Sequence, residues 1–229
     1  MLGWIICTEG KMACRLQPEV RMVCDVPFLI LETGVPRRWW ERRRLQRALA
    51  DMEAQGVRRV VTEGAGAAEL LVGSGLRPVD CAPLRRALLP RLLDWAEEQW
   101  QIPISRCAVR LCARQTDRDA AQAAFALARR ARYLVLDTGV GQEALAEELQ
   151  RRFGLGQGGG RVALEVCLDG ARCCGAPVLY LGEEGLRRQR LELTASVLPQ
   201  GSETAFSAIF QAGKLEISGI AVNFVEFCA

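Results

Sequence analysis

A mostly parallel β-sheet with helices on both faces, an α/β fold, is predicted by three features of this 229-residue sequence. Short apolar runs rich in valine, isoleucine and leucine alternate with longer segments of helical periodicity. Glycines stand where apolar runs give way to helices. The order strand, helix, strand, glycine turn, helix, strand occurs twice along the chain. Such alternation joins parallel strands by right-handed crossovers, which lay helices on both faces of the sheet. With 50% hydrophobic and 25% charged residues, the chain has the material for a proper core.

The first residues read as a hairpin: "GWIICT", a turn at Glu9-Gly10-Lys11, then "MACRL", with a further short strand near "VRMVC". "VPFLILET" is a continuous apolar run of the kind a strand buried on both faces shows. Gly34 turns the chain, and Pro36 opens a helix at the position where its missing N–H costs nothing. That helix covers about 36–55 and stops at Gly56. "VRRVVTE" is a strand, "GAGAAELLVGSG" a turn with a short helix, and "LRPVD" another strand. "APLRRALLPRLLDWAEEQW" follows as an amphipathic helix with Leu84, Leu88, Leu92 and Trp95 on its apolar side. Pro90 is expected to kink or divide it.

"QIPI", 101–104, reads as the crossing point between two halves. The first half is 1–104 with the N-terminal hairpin. The second is 105–229 with a β-rich tail, and the two can also close up as one compact domain. From Ser105 the order begins again. "CAVRLCA" is a strand, "TDRDAAQAAFALARRA" a helix capped by Thr116 or Asp117, and "RYLVLD" a strand. "TGVGQEALAEELQRRFG" is a turn and helix, and "RVALEVCL" a strand. Aligned at their turns, "VVTEGAGAAELL" faces "LVLDTGVGQEAL". Doubly wound sheets are built from two βαβαβ units of this sort, so the expected fold is Rossmann-like with two similar halves. In the tail, "PVLYLG" is a strand, "SETAFSAIFQAG" a helix capped by Ser202, and "KLEISGIAVNFVEF" a terminal strand or hairpin.

Composition narrows the chemistry. No apolar run approaches the roughly 18 residues of a membrane span. The N-terminus lacks the basic region of a signal peptide, so a cytoplasmic protein is expected. Only Lys11 and Lys214 are lysines among 30 basic residues, which leaves 28 arginines. The densest cluster, "RRWWERRRLQR" from Arg37 to Arg47, lies on a helix as a solvated face, and the acidity elsewhere argues against a nucleic-acid partner. The absence of histidine removes Ser-His and Cys-His pairs and imidazole metal ligands. Among the ten cysteines no pair has the two-residue spacing of zinc or thioredoxin motifs, so no metal site is expected. Cys107, Cys112 and Cys167 sit in apolar runs as buried reduced thiols. Cys173 and Cys174, in a turn beside Arg172, are the candidates for a reactive thiol.

The turn "LVLDTGVGQEA" carries the main ligand expectation. Gly139-x-Gly141-x-x-Ala144 has the spacing of the dinucleotide fingerprint, follows a strand and opens a helix. Glu165 or Asp169, near the end of the next strand, is placed to hold a ribose. Asp137 and Thr138 lie between the strand and the first glycine, and Glu143 puts an acid in the first helical turn. The stretch "VLDTGVGQEA" also resembles the first motif of class I S-adenosylmethionine-dependent methyltransferases. That resemblance implies a loop beginning at Asp137, Gly139 and Gly141 under the methionine portion, and Glu165 on the ribose hydroxyls. The third alternative is that these glycines only supply positive φ and close packing.

The other turn offers Glu63, Gly64 and Gly66, and Glu32 ends the strand before Gly34. On one sheet edge, Glu32, Glu63 and Asp137 would meet in a single crevice. Two functions follow. One is binding of a nucleotide-type small molecule at Gly139, with a dinucleotide or S-adenosylmethionine as cofactor and catalysis left open. The other is a non-catalytic interaction protein, self-associating or binding another partner, in which Trp39, Trp40, Trp95 and Trp100 anchor the interface.

Overall fold

The computed structural model describes residues 1–8, 16–64, 66–67, 69–155, 161–169, 176–182, 188–196, 198 and 201–227. In chain order these form β1 (Leu2–Thr8), β2 (Glu19–Val23), β3 (Val26–Gly34), α1 (Trp39–Ala54), β4 (Arg59–Glu63) and β5 (Arg77–Pro78). Then come α2 (Ala82–Ala87), α3 (Leu89–Gln99), β6 (Ala108–Cys112), α4 (Arg118–Ala128), β7 (Tyr133–Asp137) and α5 (Gln142–Phe153). The chain continues with β8 (Val162–Cys167), β9 (Val178–Tyr180), β10 (Gln189–Ala195), α6 (Glu203–Gln211) and β11 (Ile220–Phe227). The protein is an α/β protein of Rossmann-like character with two mostly parallel sheets. Two compact units divide the chain: Met1–Asp80 with Ala195–Gly219, and Cys81–Thr194 with Ile220–Ala229.

The first unit holds a five-stranded sheet in the order β2-β3-β1-β4-β5. All neighbours are parallel except β2, which runs antiparallel along the outer edge of β3. The hairpin is therefore β2–β3, because β1 is the central strand and has β3 and β4 as parallel neighbours. Cys24 and Asp25 take φ of 50° and 58° at the tip of this hairpin, as a tight two-residue turn matched to strand twist requires. The expected partner "MACRL" falls, but for Leu16, outside the described residues.

Leu45, Ala48, Leu49 and Met52, spaced i, i+3, i+4, i+7, form the buried face of α1. They join Ile5, Leu29, Leu31 and Val60 in one apolar cluster. A Cβ on Gly3 would stand 2.8 Å from Met52 Cε and 2.9 Å from Val57 Cγ1, so the missing side chain lets Met52 and Val57 sit directly on β1. Val61 alternates to the opposite face and is equally buried, and α6 packs along β4. Ser202 caps α6 as expected, accepting from the Ala205 amide at 3.2 Å.

The second unit holds the parallel sheet β7-β6-β8-β9 and a separate pair, β10-β11. Val109, Leu111, Leu134, Leu136, Leu164, Val166 and Leu179 alternate along its strands as buried apolar positions. The long helix expected before it is divided into α2 and α3, with Pro90 in the first turn of α3. Asp117 is the cap of α4, accepting from the Ala120 amide at 2.8 Å. The outer edge of β9 is closed by a side chain. The Gln189 amide accepts from Tyr180 N at 3.0 Å and donates to Val178 O at 3.3 Å, while Arg85 donates to Tyr180 O at 3.0 Å. An amide and a guanidinium thus do what another strand would do.

The parallel strands of both sheets follow one arrangement: second, first, third, fourth in chain order. This corrects the alignment of the turns. Gly64 follows β4, the third parallel strand of its sheet, whereas Gly139 follows β7, the second of its own. The place matching Gly139 is Gly34, and there "LILETGV" (29–35) corresponds to "LVLDTGV" (134–140), identical at five of seven positions.

Candidate functional site

In an open sheet of this order, ligands belong outside the carboxyl ends of the strands. At that edge of the second unit, the loops after β6 and β7 hold each other. Ala113 N donates to Asp137 O at 2.9 Å, Thr116 N donates to Val140 O at 3.1 Å, and Gln115 bridges Val140. Thr138 is fully buried, its hydroxyl 2.8 Å from that of Thr116. Its amide donates to Gln142 Oε1 at 3.2 Å. Gly139 and Gly141 take φ of 60° and 88°. A Cβ on Gly139 would lie 2.5 Å from the Arg114 carbonyl, and one on Gly141 would lie 3.2 Å from Thr116 Cβ. Both glycines are demanded by backbone shape and by the neighbouring loop. The turn remains open to solvent on its outer side, where Asp137 is exposed and Val140 is 87% exposed. Gly141 is the N-terminal boundary of α5, which has no side-chain cap.

Glu165 stands inside β8. It is 1% exposed and pairs with Arg110 of β6 at 2.9 Å, directly across the parallel ladder. Its carboxylate is therefore engaged within the sheet, two residues before the strand ends. Asp169, in the loop beyond, accepts from the Arg114 amide at 3.4 Å.

Glu32 and Glu63 lie on the first unit's sheet, both in register with Ile6 of β1 and so in one row across it. Glu32 pairs with Arg21 at 2.9 Å, and Glu63 accepts from the Ser202 amide at 3.3 Å. Asp137 belongs to the other sheet, so the expectation that all three carboxylates share one sheet edge is corrected. Gly64, at φ 90°, would place a Cβ 1.9 Å from the Cys7 carbonyl, whereas Gly66, at φ 75°, faces open space. A cavity of about 360 Å³ opens between the start of α1 and the turn after β4, lined by Val35, Pro36, Leu45, Leu70 and the polar Arg42 and Glu69.

Cys7, Cys24, Cys81, Cys107 and Cys112 are thiols, and burial pushes the Cys7 thiol above its ordinary pKa. The Cys24 thiol is raised by burial and then by Asp25. Cys167, expected to be reduced, is in a disulfide whose partner lies outside the described residues. Cys173 and Cys174 also lie outside them. Among the described residues no group of three cysteine or acidic side chains could hold a metal ion. None of their helices is long and apolar enough to cross a membrane.

The four tryptophans of the helices separate into two kinds. Trp95 is buried and meets Trp100 edge-on at 5.0 Å. Trp39 and Trp40 are 68% and 41% exposed at the start of α1. The Arg43 guanidinium lies 5.1 Å from the Trp39 ring centre, and those of Arg44 and Arg38 lie 5.5 and 5.9 Å from that of Trp40. No protein-family profile matches this chain, and no curated protein matches it.

Proposed function

We propose that this is a non-catalytic interaction protein that binds a macromolecular partner through the exposed face of α1. The observation that carries the reading is the pair Trp39 and Trp40, exposed and overlaid by arginines on a helix whose other face is fixed in the core. Tryptophan and arginine are the side chains most enriched where binding energy concentrates, and two adjacent indoles in water are costly without such a use. The carboxylates Glu63 and Glu165 are engaged inside the fold, and the glycines at 64 and 139 make room for carbonyls, which suits architecture better than chemistry. A cytoplasmic location accords with the predominance of thiols among the described cysteines. The common strand arrangement and the shared "TGV" turn support descent of the two halves from one duplicated unit.

The test is a photo-reactive residue at position 47, beside the indoles, in living cells. Adducts that disappear in a Trp39→Ala/Trp40→Ala protein of unchanged stability are expected. Adducts indifferent to the two tryptophans would overturn the reading.

A second reading rests on the exposed outer side of the turn at Asp137, Gly139 and Gly141, where an uncapped helix start faces solvent beside strand ends. It assigns a nucleotide-type small molecule there, with S-adenosylmethionine as the alternative ligand. Nucleotides, dinucleotides and S-adenosylmethionine at about 100 times their dissociation constant should then stabilise the protein by about 2.7 kcal/mol in a thermal-shift screen. Gly141→Val should abolish that shift. No shift with any of them eliminates the second reading.

A further inference from the structure

We propose that the partner of the α1 face is a single-stranded nucleic acid, an inference that rests on the interaction reading above and reverses the expectation, drawn from overall charge, against a nucleic-acid partner. The segment from Arg37 to Arg47 contains six arginines and one glutamate, a net +5 in a chain of net +3, so the remainder carries −2. The one acid is occupied: Glu41 Oε2 accepts from the amides of Arg37 at 2.7 Å and Arg38 at 3.0 Å. Among the described residues none of the six arginines is ion-paired; Arg58, Arg77 and Arg118 elsewhere are not either, so it is the density of the cluster that sets it apart. Positive charge is thus gathered on one helix end and left uncompensated there, and the matching surface is a polyanion.

The indoles decide which polyanion. Relative to the buried stripe of Leu45, Ala48, Leu49 and Met52, the positions of Trp39, Trp40, Arg43 and Arg47 turn to the solvent side of α1. Trp39, the more exposed indole, has one guanidinium near its ring, that of Arg43 from the following turn, whereas Trp40 has those of both Arg44 and Arg38. An acidic polypeptide would pair its carboxylates with the guanidiniums but leave the rings wet. A nucleobase can stack on an indole while its phosphate meets the arginines, so both halves of the surface are used. Duplexes hide their bases inside the stack. An anionic membrane calls for a continuous apolar stripe, and the apolar stripe of α1 is already in the core.

Fluorescence anisotropy with labelled oligothymidylate and oligouridylate tests the assignment and separates DNA from RNA. Binding is expected to weaken from about 50 to 200 mM salt, with a log–log slope near −0.7 for each phosphate neutralised. Arg43→Ala/Arg47→Ala should make that slope shallower by about one unit or more. Trp39→Ala/Trp40→Ala should weaken binding at least about tenfold while leaving the slope nearly unchanged. Arg151→Ala, on α5, should alter neither. Equal affinity for duplex and single strand, or binding that ignores the tryptophan substitutions, overturns the inference. So does preference for polyglutamate or for phosphatidylserine vesicles, with the tryptophans still required; that result leaves the interaction reading standing. Absence of binding to any of these probes, together with crosslinks indifferent to both tryptophans, removes the inference and the reading beneath it.

Discussion

Gly64 and Gly66 show how differently one residue type can matter two positions apart. Both have positive φ, but a Cβ at 64 would strike the Cys7 carbonyl at 1.9 Å, and one at 66 would meet nothing within 4 Å. Gly66→Ala should therefore cost about 1 kcal/mol, the left-handed penalty alone. Gly64→Ala forces β1 and the turn apart and should cost at least about 3 kcal/mol in urea unfolding. Equal costs would mean that the close approach is not a constraint. Local sequence revealed that this turn needs glycine but not that the Cys7 carbonyl presses on Gly64, because that partner lies more than 50 residues away in the chain. Glu165 was hidden for the same kind of reason. "RVALEVC" shows a strand, but the register that sets Glu165 against Arg110 is a property of two strands together.

α1 was the most legible element and also the most informative where the periodicity was ignored. Counting back from Leu45 by three and four residues reaches Arg42 and Glu41, so the core-facing phase excludes Trp39 and Trp40. Their exposure was readable from that spacing alone, whereas the guanidiniums above them were not. The start of this helix has a built-in pH response. Backbone N–H donors from Arg38 and Arg37 hold the Glu41 carboxyl below its usual pKa. A lowered folded-state pKa contributes stability above the ordinary carboxylate range and loses it as pH falls through the lowered value. Glu41→Ala should accordingly have a lower Tm than wild type at neutral pH, and the gap should close in acid. A gap that stays constant with pH would show that the carboxylate charge contributes nothing. At β9, Gln189→Ala should leave Tyr180 N and Val178 O without their side-chain partner and cost about 1–3 kcal/mol. Hydrogen exchange at Tyr180 measures it, and unchanged protection there would show that Gln189 does not close the strand. The sequence around Gln189 gave no sign of such a clasp, because its partners in β9 are set only by the folded chain.

At the scale of the whole chain, alternation of strands and helices announced an α/β fold with a mostly parallel sheet, and the structure divides that sheet into two with a common order. What alternation could not announce is which turn corresponds to which, since the order 2-1-3-4 is set by handed crossovers rather than by local pattern. The longest-range surprise is the return of 195–219 to the first unit, where Thr204 Oγ1 donates to Thr62 O at 3.3 Å and Gln211 Oε1 accepts from Arg59 at 2.7 Å. Phe206, fully buried on α6, should be a linchpin of that unit: Phe206→Ala should cost about 3–5 kcal/mol. Its signature is lost amide protection in β1 and β4, and loss confined to β6–β9 would contradict the connection. The same return sets a timetable on the ribosome. Glu63 and Ser202 are 139 residues apart, so at about 5–20 residues per second the strand waits roughly 7–28 s for the helix that covers it. Throughout that interval the part of β4 that α6 will cover stands without it beside a growing chain, a window in which a chaperone has something to hold.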